Sequence, residues 1–298
     1  MTILIWLLSL AVSFSAFTKS RDLIHSVGFS LNTVSSESEL QDADQKRVLT
    51  FKPNVATGFG IAAETEHFGI AYTFAGKEAQ SINHEKTKYR DLRLNFHYKN
   101  FDFRLMLQKY RGALVETGGR SKFYKDYEVR SQNGRIHYYI VRDYLNYIRD
   151  GRKLVNKAAQ NEGSQFIGSW FFGVNLDSRR IELPDNLEPE HQAIVSRKIN
   201  QYDRSFSAFS MGPLVGYDGM FQWNSAFVRG KFAGGPAFQT GGGTVPQFEI
   251  GFNTGVVLNE KHLVSIWADI YNLNFKDSDQ RISNTNAHVS VAYTYAFN

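Results

Sequence analysis

A histidine and a serine separated by one residue, His288 and Ser290, are of types that could together hydrolyse an ester bond. A serine hydroxyl becomes a nucleophile when a nearby base accepts its proton, and histidine commonly serves as that base. A lipid-modifying enzyme would need both side chains on a surface that meets lipid. The element that carries the pair therefore decides whether this chemistry is available.

A second candidate is the run Gly58-Phe59-Gly60-Ile61-Ala62-Ala63, which matches the glycine pattern of dinucleotide-binding loops. That pattern binds a cofactor only between a strand and a helix of a βαβ unit. Here the residues lie within one alternating segment that is soon followed by a turn. We therefore interpret the glycines as small residues of a strand and predict no cofactor.

Other catalytic signatures are missing from the sequence. The chain has no cysteine, which excludes disulfides, thiolate catalysis and a lipoprotein anchor. Its eight histidines form no zinc-binding motif, and Gly241-Gly242-Gly243 lacks the lysine of a phosphate-binding loop. We predict a protein that is not an enzyme and holds no metal.

The end of the chain alternates with a period of two, as a β-strand does. Odd positions from 289 to 297 are apolar or aromatic, whereas His288, Ser290 and the next even positions are polar or small. In the closing strand of an outer-membrane β-barrel, the aromatic face would meet lipid. His288 and Ser290 would then point into the lumen, which argues against lipid hydrolysis.

Similar alternating segments recur throughout the chain. The face of Leu92, Leu94 and Phe96 opposes Arg93, and Phe101 and its odd neighbours oppose the even positions 102–106. Charged residues cost about 2–4 kcal/mol on a lipid-facing surface at mid-depth, so the charged sets are predicted to face the lumen. The predicted strands lie near 22–34, 50–64, 67–76, 87–99, 101–112, 135–148, 153–176, 205–222, 225–239, 246–258, 262–275 and 286–298.

The connections between these segments alternate in length, which is typical of transmembrane barrels with short periplasmic turns and long extracellular loops. The pattern predicts an all-β transmembrane antiparallel barrel of about twelve strands, with ten as the alternative if 22–34 is only a lead-in. The predicted turns are Thr65-Glu66, Lys99-Asn100, Asp150-Gly151, Trp223-Asn224 and Asn259-Glu260-Lys261, and the predicted loops are 35–49, 77–86, 113–134, 177–204, 240–245 and 276–285.

Five charged residues are the candidate binding residues of the predicted lumen. They carry both signs, so in a narrow barrel we expect them to pair across the interior. The same set would serve either a small pore with a charged constriction for small solutes or a polar network that only fills the barrel. The candidates are Arg93, Arg104, Arg229, Lys231 and Glu249, with Asp269 as a further possibility.

Two predicted loops suggest partners at the cell surface. Loop 113–134 carries basic residues with Tyr124 and Tyr127 and could bind lipopolysaccharide phosphates, although a solvated loop is the alternative. In loop 177–204, residues 187–201 have near-helical spacing and could form a helix over the barrel mouth. An adhesin or receptor acting through these loops is a third functional alternative. The basic residues of loop 113–134 are Arg120, Lys122, Lys125 and Arg130.

The first apolar run, Ile3 to Val12, is too short to span a membrane comfortably and is followed by small residues. We predict a signal peptide over residues 1–16, cleaved at Ser15 or Ala16, and a barrel domain over residues 17–298. The net charge of +5 is spread among 29 acidic residues, which argues against a nucleic-acid partner.

Several ordered segments resemble an uncharacterised family of outer-membrane β-barrels, a domain of unknown function found mainly in Bacteroidetes. The resemblance implies a barrel in the cell outer membrane of a Gram-negative bacterium and supplies no activity. It also implies contact with outer-membrane lipid and assembly by the barrel-assembly machinery, which usually recognises a terminal aromatic residue, although here Asn298 follows Phe297. The matching segments are Lys52-Pro53-Asn54, Gly58-Phe59-Gly60, Thr87-Lys88-Tyr89 with Asp91-Leu92, Gln108-Lys109-Tyr110-Arg111-Gly112, Gly168-Ser169-Trp170-Phe171-Phe172-Gly173 and Gly212-Pro213 with Gly216-Tyr217. We therefore predict a structural or narrow-pore barrel without catalysis.

Overall fold

The computed structural model describes most of the chain from residue 24 onward. The predicted signal peptide and the predicted turn Asp150-Gly151 lie outside the described residues. So does most of the predicted helix 187–201, of which only 187–189 and 191 are described. The described ranges are 24–41, 48–52, 58–75, 87–117, 120–142, 144–149, 164–189, 191, 205–240, 242–259, 261–277 and 280–297.

Within these ranges the chain forms antiparallel strands and a short helix, α1 (Tyr144–Arg149). No helix among the described residues is long and apolar enough to cross a membrane. The strands are β1 (Ser26–Gln41), β2 (Val48–Lys52), β3 (Gly58–Glu64), β4 (Phe68–Ala75), β5 (Lys88–Tyr98), β6 (Phe101–Thr117), β7 (Arg120–Tyr139), β8 (Ser164–Glu182), β9 (Ser205–Trp223), β10 (Ala226–Gln239), β11 (Thr244–Asn259), β12 (His262–Asp277) and β13 (Gln280–Ala296).

The sheet closes on itself because the first and last strands pair along their whole lengths, from Ser26↔Ala296 to Gln41↔Arg281. Strands β2 and β3 both pair antiparallel with β1, so they are two segments of one barrel strand. The protein is therefore a closed antiparallel barrel of twelve strands, as the alternation of the sequence predicts. Closure gives each described strand a neighbouring strand on both sides.

The strand that pairs with β6 on one side is β5 in one part of the barrel and β2 in the other. β6 pairs with β5 up to Lys88↔Arg111, and beyond a bulge it pairs with β2, from Lys52↔Leu114. Gly112 lies in this bulge with a φ of 91°, a conformation that favours glycine, and its carbonyl accepts a 2.8 Å hydrogen bond from Thr87 Oγ1. Above this point β2 alone connects β1 to β6, so the barrel narrows.

The two ends of the barrel are distinct. We call the end with the turns at 65–67, Lys99-Asn100 and Asn224-Ser225 the turn end, and the opposite end the loop end. Near the turn end, the outer surface is apolar, with exposed side chains such as Phe166, Trp170 and Phe172 on β8, while charged side chains line the lumen. The face assignment made from the sequence is confirmed for this half.

In the loop-end half the polarity is inverted. Towards the loop end of β7, the inward residues Val129, Tyr127 and Tyr124 are apolar or aromatic and buried, whereas the outward positions 125, 126 and 130 are charged and exposed. The described residues of this half enclose an apolar core of their own. The inversion explains why the loops predicted from the sequence at 35–49, 113–134, 177–204 and 276–285 are too long: strands β1, β6, β7, β8, β12 and β13 all continue into them.

The connection between β7 and β8 also differs from the prediction. The strand predicted over 135–148 ends at Tyr139, and the described part of the chain after it forms α1 rather than a tight turn. Tyr144 and Leu145 of α1 are buried against Tyr139 and Phe171 of the barrel wall. The helix therefore packs inside the turn end of the lumen, and short and long connections do not alternate without exception.

Candidate functional site

The lumen near the turn end contains all five charged residues that the sequence selected. Lys231 and Glu249 are buried, and Arg93, Arg104 and Arg229 are partly exposed to the interior. Period-two alternation on β5, β6, β10 and β11 directs these side chains inward. Their placement agrees with the prediction, whereas their role in binding any ligand stays a prediction.

Two of these arginines are held by buried aspartates on their own strands. Arg93 Nε donates to Asp91 Oδ2 at 2.8 Å, and Arg104 Nε donates to Asp102 Oδ2 at 2.7 Å. His97 Nδ1 lies 2.7 Å from the other oxygen of Asp102. Residues two apart on a strand share a face, so this spacing makes each ion pair a local feature of the sequence.

Other pairs cross the barrel. Arg135 Nη1 on β7 lies 2.6 Å from Glu249 Oε1 on β11, and Lys231 Nζ donates to the same oxygen at 3.0 Å. The guanidinium of Arg93 lies 4.6 Å from the ring centroid of Trp267 on β12, a cation–π contact. The predicted pairing across the lumen is therefore present. Arg135 was missed because the sequence alone does not indicate which residue lies opposite Glu249.

A second cluster anchors helix α1 to the barrel wall. Asp218 on β9 accepts two hydrogen bonds from Arg229, at 2.8 and 2.5 Å. It also accepts one from Tyr139 at 3.1 Å and one from Tyr144 of α1 at 2.8 Å. Asp218 could have been found from the alternation of β9, in which Tyr217 points outward. No pattern in the sequence indicates the position of Tyr144, because the segment that contains it continues the alternation of a strand.

The lumen near the loop end is filled by a cluster that we call the loop-end core. Leu49 and Phe51 of β2 and Val115 of β6 are at most 1% exposed. The rings of Phe51 and Tyr127 stack with centroids 4.4 Å apart and an interplanar angle of 7°. The remaining buried members are Tyr89, Tyr110, Ala113, Tyr124, Val129, Ile181, Leu183, Ala208 and Tyr271.

The described residues after β8, 183–189 and 191, pack over this core. Leu187 contacts the core, and His191 is buried with its Nδ1 2.7 Å from the hydroxyl of Tyr124. Lys122 Nζ donates to Glu188 at 2.9 Å, and this hydrogen bond raises the pKa of Lys122. Because Tyr124 and Tyr127 point inward, the predicted basic and aromatic outer loop at 113–134 is wrong in its aromatic part.

Below the loop-end core lies a cavity of about 1490 Å³ that reaches the turn end. We call it the vestibule. Its lining includes the candidate cations Arg93, Arg104, Arg229 and Lys231, together with Arg135. The carboxylates that pair with Arg93, Arg104 and Arg229, namely Asp91, Asp102 and Asp218, are fully buried in the wall.

The pair His288 and Ser290 faces the interior, as the alternation of β13 predicts. His288 stacks on Trp267 with ring centroids 4.3 Å apart. Neither of its ring nitrogens nor the Ser290 hydroxyl has a hydrogen-bond partner among the described residues, so the two side chains form no nucleophile–base pair. Within the same residues, no group of three or more acidic or histidine side chains could hold a metal.

The closed antiparallel sheet, with an apolar outer surface and a charged interior in its turn-end half, defines a β-barrel with the fold of outer-membrane proteins. The chain belongs to the family described as Domain of unknown function (DUF4421), whose model matches residues 15–297. The family description states no activity, and the resemblance found in the sequence was likewise to a domain of unknown function. No curated protein matches the chain in sequence.

Solved barrel structures cover most of the chain at very low identity. The translocator domain of the autotransporter NalP from Neisseria meningitidis is 10% identical, with 96% of this chain and 92% of that chain covered and a TM-score of 0.43. The toluene transporter TodX from Pseudomonas putida is 8% identical, with coverages of 93% and 90% and a TM-score of 0.34. The outer membrane protein OmpT of Vibrio cholerae is 8% identical, with coverages of 94% and 100% and a TM-score of 0.31.

Proposed function

We propose that this protein is a closed, non-conducting barrel of the outer membrane that acts without catalysis. The observation that carries the proposal is the loop-end core, in which Leu49, Phe51 and Val115 fill the lumen. An apolar constriction of this kind excludes water and ions. Of the two alternatives for the lumen charges, the filled barrel is therefore favoured over the narrow pore.

The cross-lumen contacts support the same conclusion. Arg135–Glu249 joins β7 to β11, and the hydroxyl of Tyr271 on β12 donates to Gln108 on β6 at 2.8 Å. Opening a path for a solute would require these contacts to separate. Buried ion pairs resist separation because each unpaired charge would carry a large desolvation cost.

The proposal places the turn end and the vestibule in the periplasm and the loop-end half outside the cell. In this orientation the apolar surface contacts outer-membrane lipid, and the barrel-assembly machinery inserts the chain. The vestibule is then open to periplasmic solutes, but it is closed towards the outside by the loop-end core.

The test is single-channel conductance of the purified, refolded chain in a planar phosphatidylcholine bilayer. Folding is verified beforehand by the different electrophoretic mobility of boiled and unboiled samples, and insertion by flotation with vesicles. We expect no discrete current steps from the native sequence. The triple variant Leu49→Gly, Phe51→Gly and Val115→Gly removes three apolar side chains of the constriction, which widens it, and should conduct.

Discrete steps from the native sequence would overturn the proposal and establish the narrow pore instead. In that case, charge reversal at Arg93, Arg104 or Glu249 should change the ion selectivity. If neither the native chain nor the triple variant gives current steps, the loop-end core is not what blocks the lumen. That result would also count against the proposal.

A further inference from the structure

Four basic side chains lie next to one another on the outer surface, in a line that we call the basic row. Arg90 on β5 is the register partner of Lys109 on β6, Lys109 is the partner of Arg130 on β7, and Arg130 is the partner of Arg180 on β8. All four side chains are exposed. Since neighbouring strands lie about 4.8 Å apart, the row spans about 14 Å.

Like charges directly opposite one another on a sheet are destabilising unless an anion compensates them. Two carboxylates do so in part: Glu128 contacts Lys109 at 2.9 Å and Arg130 at 2.5 Å. Glu182 contacts Arg180 at 3.1 Å. Arg90 has no carboxylate partner among the described residues. Four cations thus share two carboxylates, and the row retains an excess of positive charge.

The rows below the basic row are apolar except for Gln132 and Ser178 in the row next to it, and they mark the surface proposed to contact lipid. At the turn end, Tyr98, Phe101, Tyr138 and Phe172 are register partners on the same four strands. The distance from residue 98 to residue 90 along a strand tilted by about 40° is about 20 Å in height, close to the thickness of the apolar band of a membrane barrel. Between them are the rows Phe96, Phe103, Ile136 and Val174; Leu94, Leu105, Gly134 and Leu176; and Leu92, Leu107, Gln132 and Ser178.

The basic row also lies where the interior of the barrel changes from polar to apolar. On β7, Ser131 is the last polar inward residue, and Val129 begins the loop-end core. On β5 to β8 the exterior is mostly apolar below this level and charged at it and above it. Two independent features of the fold, one outside and one inside the barrel, therefore place the basic row at the boundary between membrane and water.

We propose that the basic row binds the phosphate groups of a phosphorylated lipid headgroup in the leaflet at the loop end. Arginine and lysine form short, charge-assisted hydrogen bonds to phosphate oxygens, and several neighbouring cations match a headgroup that carries more than one phosphate. The acyl chains of the same lipid would lie against the apolar rows of β5 to β8. The inference rests on the proposed membrane location and is independent of whether the lumen conducts.

The experiment compares lipid binding by two variants of the full refolded chain in a non-ionic detergent. In the first, Arg90→Gln and Arg180→Gln remove the ends of the row and leave Glu128 with both of its partners. The control, Lys125→Gln with Arg142→Gln, removes the same charge at exposed positions outside the row. The probes are phosphorylated lipid A, enzymatically dephosphorylated lipid A and inorganic phosphate, with bound copies measured by native mass spectrometry and stability by thermal unfolding.

We expect the row variant to bind phosphorylated lipid A about 30-fold more weakly than the native chain, at about a factor of five for each cation near an anionic headgroup. Without lipid it should unfold at the same temperature as the native chain or a higher one, because repulsion is relieved. Equal affinity of the row variant and the control would overturn the proposal. Binding of dephosphorylated lipid A as tight as that of phosphorylated lipid A would also overturn it. So would undiminished binding of phosphorylated lipid A in the presence of saturating inorganic phosphate.

Discussion

Arg135 and Glu249 meet across the barrel, with 2.6 Å between Nη1 of the arginine on β7 and Oε1 of the glutamate on β11. Lys231, on the adjacent strand β10, contacts the same carboxylate oxygen of Glu249. One carboxylate therefore holds two cations that come from different parts of the chain. Because all three groups are buried, the contact ties β7 to β11 across the lumen.

Glu249→Gln should lower the free energy of unfolding by about 3–5 kcal/mol, because Arg135 and Lys231 would remain buried without their counter-charge. The measurement is urea unfolding of the chain inserted in lipid vesicles. Glu64→Gln, at an exposed position near the turn end, is the control and should change stability little. A triple variant with Arg135→Met, Lys231→Met and Glu249→Leu should regain most of the loss. If it is as unstable as Glu249→Gln alone, the loss does not come from unpaired charge.

Phe51→Ala should destabilise the loop-end core by about 3–5 kcal/mol, since it removes a fully buried ring that stacks on Tyr127. Phe59→Ala is the matched control, because Phe59 is a phenylalanine on the outer face of the adjoining strand β3. In detergent, Phe59→Ala should lower the free energy of unfolding much less than Phe51→Ala does. Equal losses in the two variants would mean that the loop-end half has no packed core of its own.

The absence of native cysteine allows the orientation to be tested with single introduced thiols. Ser225→Cys lies in a turn at the turn end, and Asn186→Cys lies in the loop-end connection after β8; both positions are exposed. In intact cells a membrane-impermeant maleimide should label the cysteine at 186 and should reach the one at 225 only after the outer membrane is permeabilised. The reverse pattern would contradict the proposed orientation, and rapid labelling of both would contradict the membrane location.

His288→Phe should leave the stability within about 1 kcal/mol of the native chain or raise it. The substitution keeps an aromatic ring against Trp267 and removes two buried nitrogens that lack hydrogen-bond partners among the described residues.

Ser290→Ala should leave lipid hydrolysis by the refolded chain unchanged at the background of a protein-free control. Hydrolysis above that background that is lost in Ser290→Ala would restore the lipid-modifying alternative.

The sequence alone predicted the parts of this protein that depend on neighbouring residues. Period-two alternation assigned the inward faces of β5, β6, β11 and β13 and placed Arg93, Arg104, Glu249, His288 and Ser290 in the lumen. Tight turns at Lys99-Asn100 and near Asn224 indicated the hairpins. These features are local because a strand alternates sides at every residue, whatever it later packs against.

The tertiary structure alone decided what the inward residues meet and where the outer surface changes from apolar to charged. An alternating segment looks the same whether its apolar face contacts lipid or a protein core, so the sequence predicts a loop over 113–134, where the structure has the continuations of β6 and β7. The pairing of Arg135 with Glu249 depends on barrel closure, which brings together residues from strands four positions apart in the sheet. The alignment of Arg90, Lys109, Arg130 and Arg180 likewise depends on the registers of three separate strand pairs, which no single stretch of sequence contains.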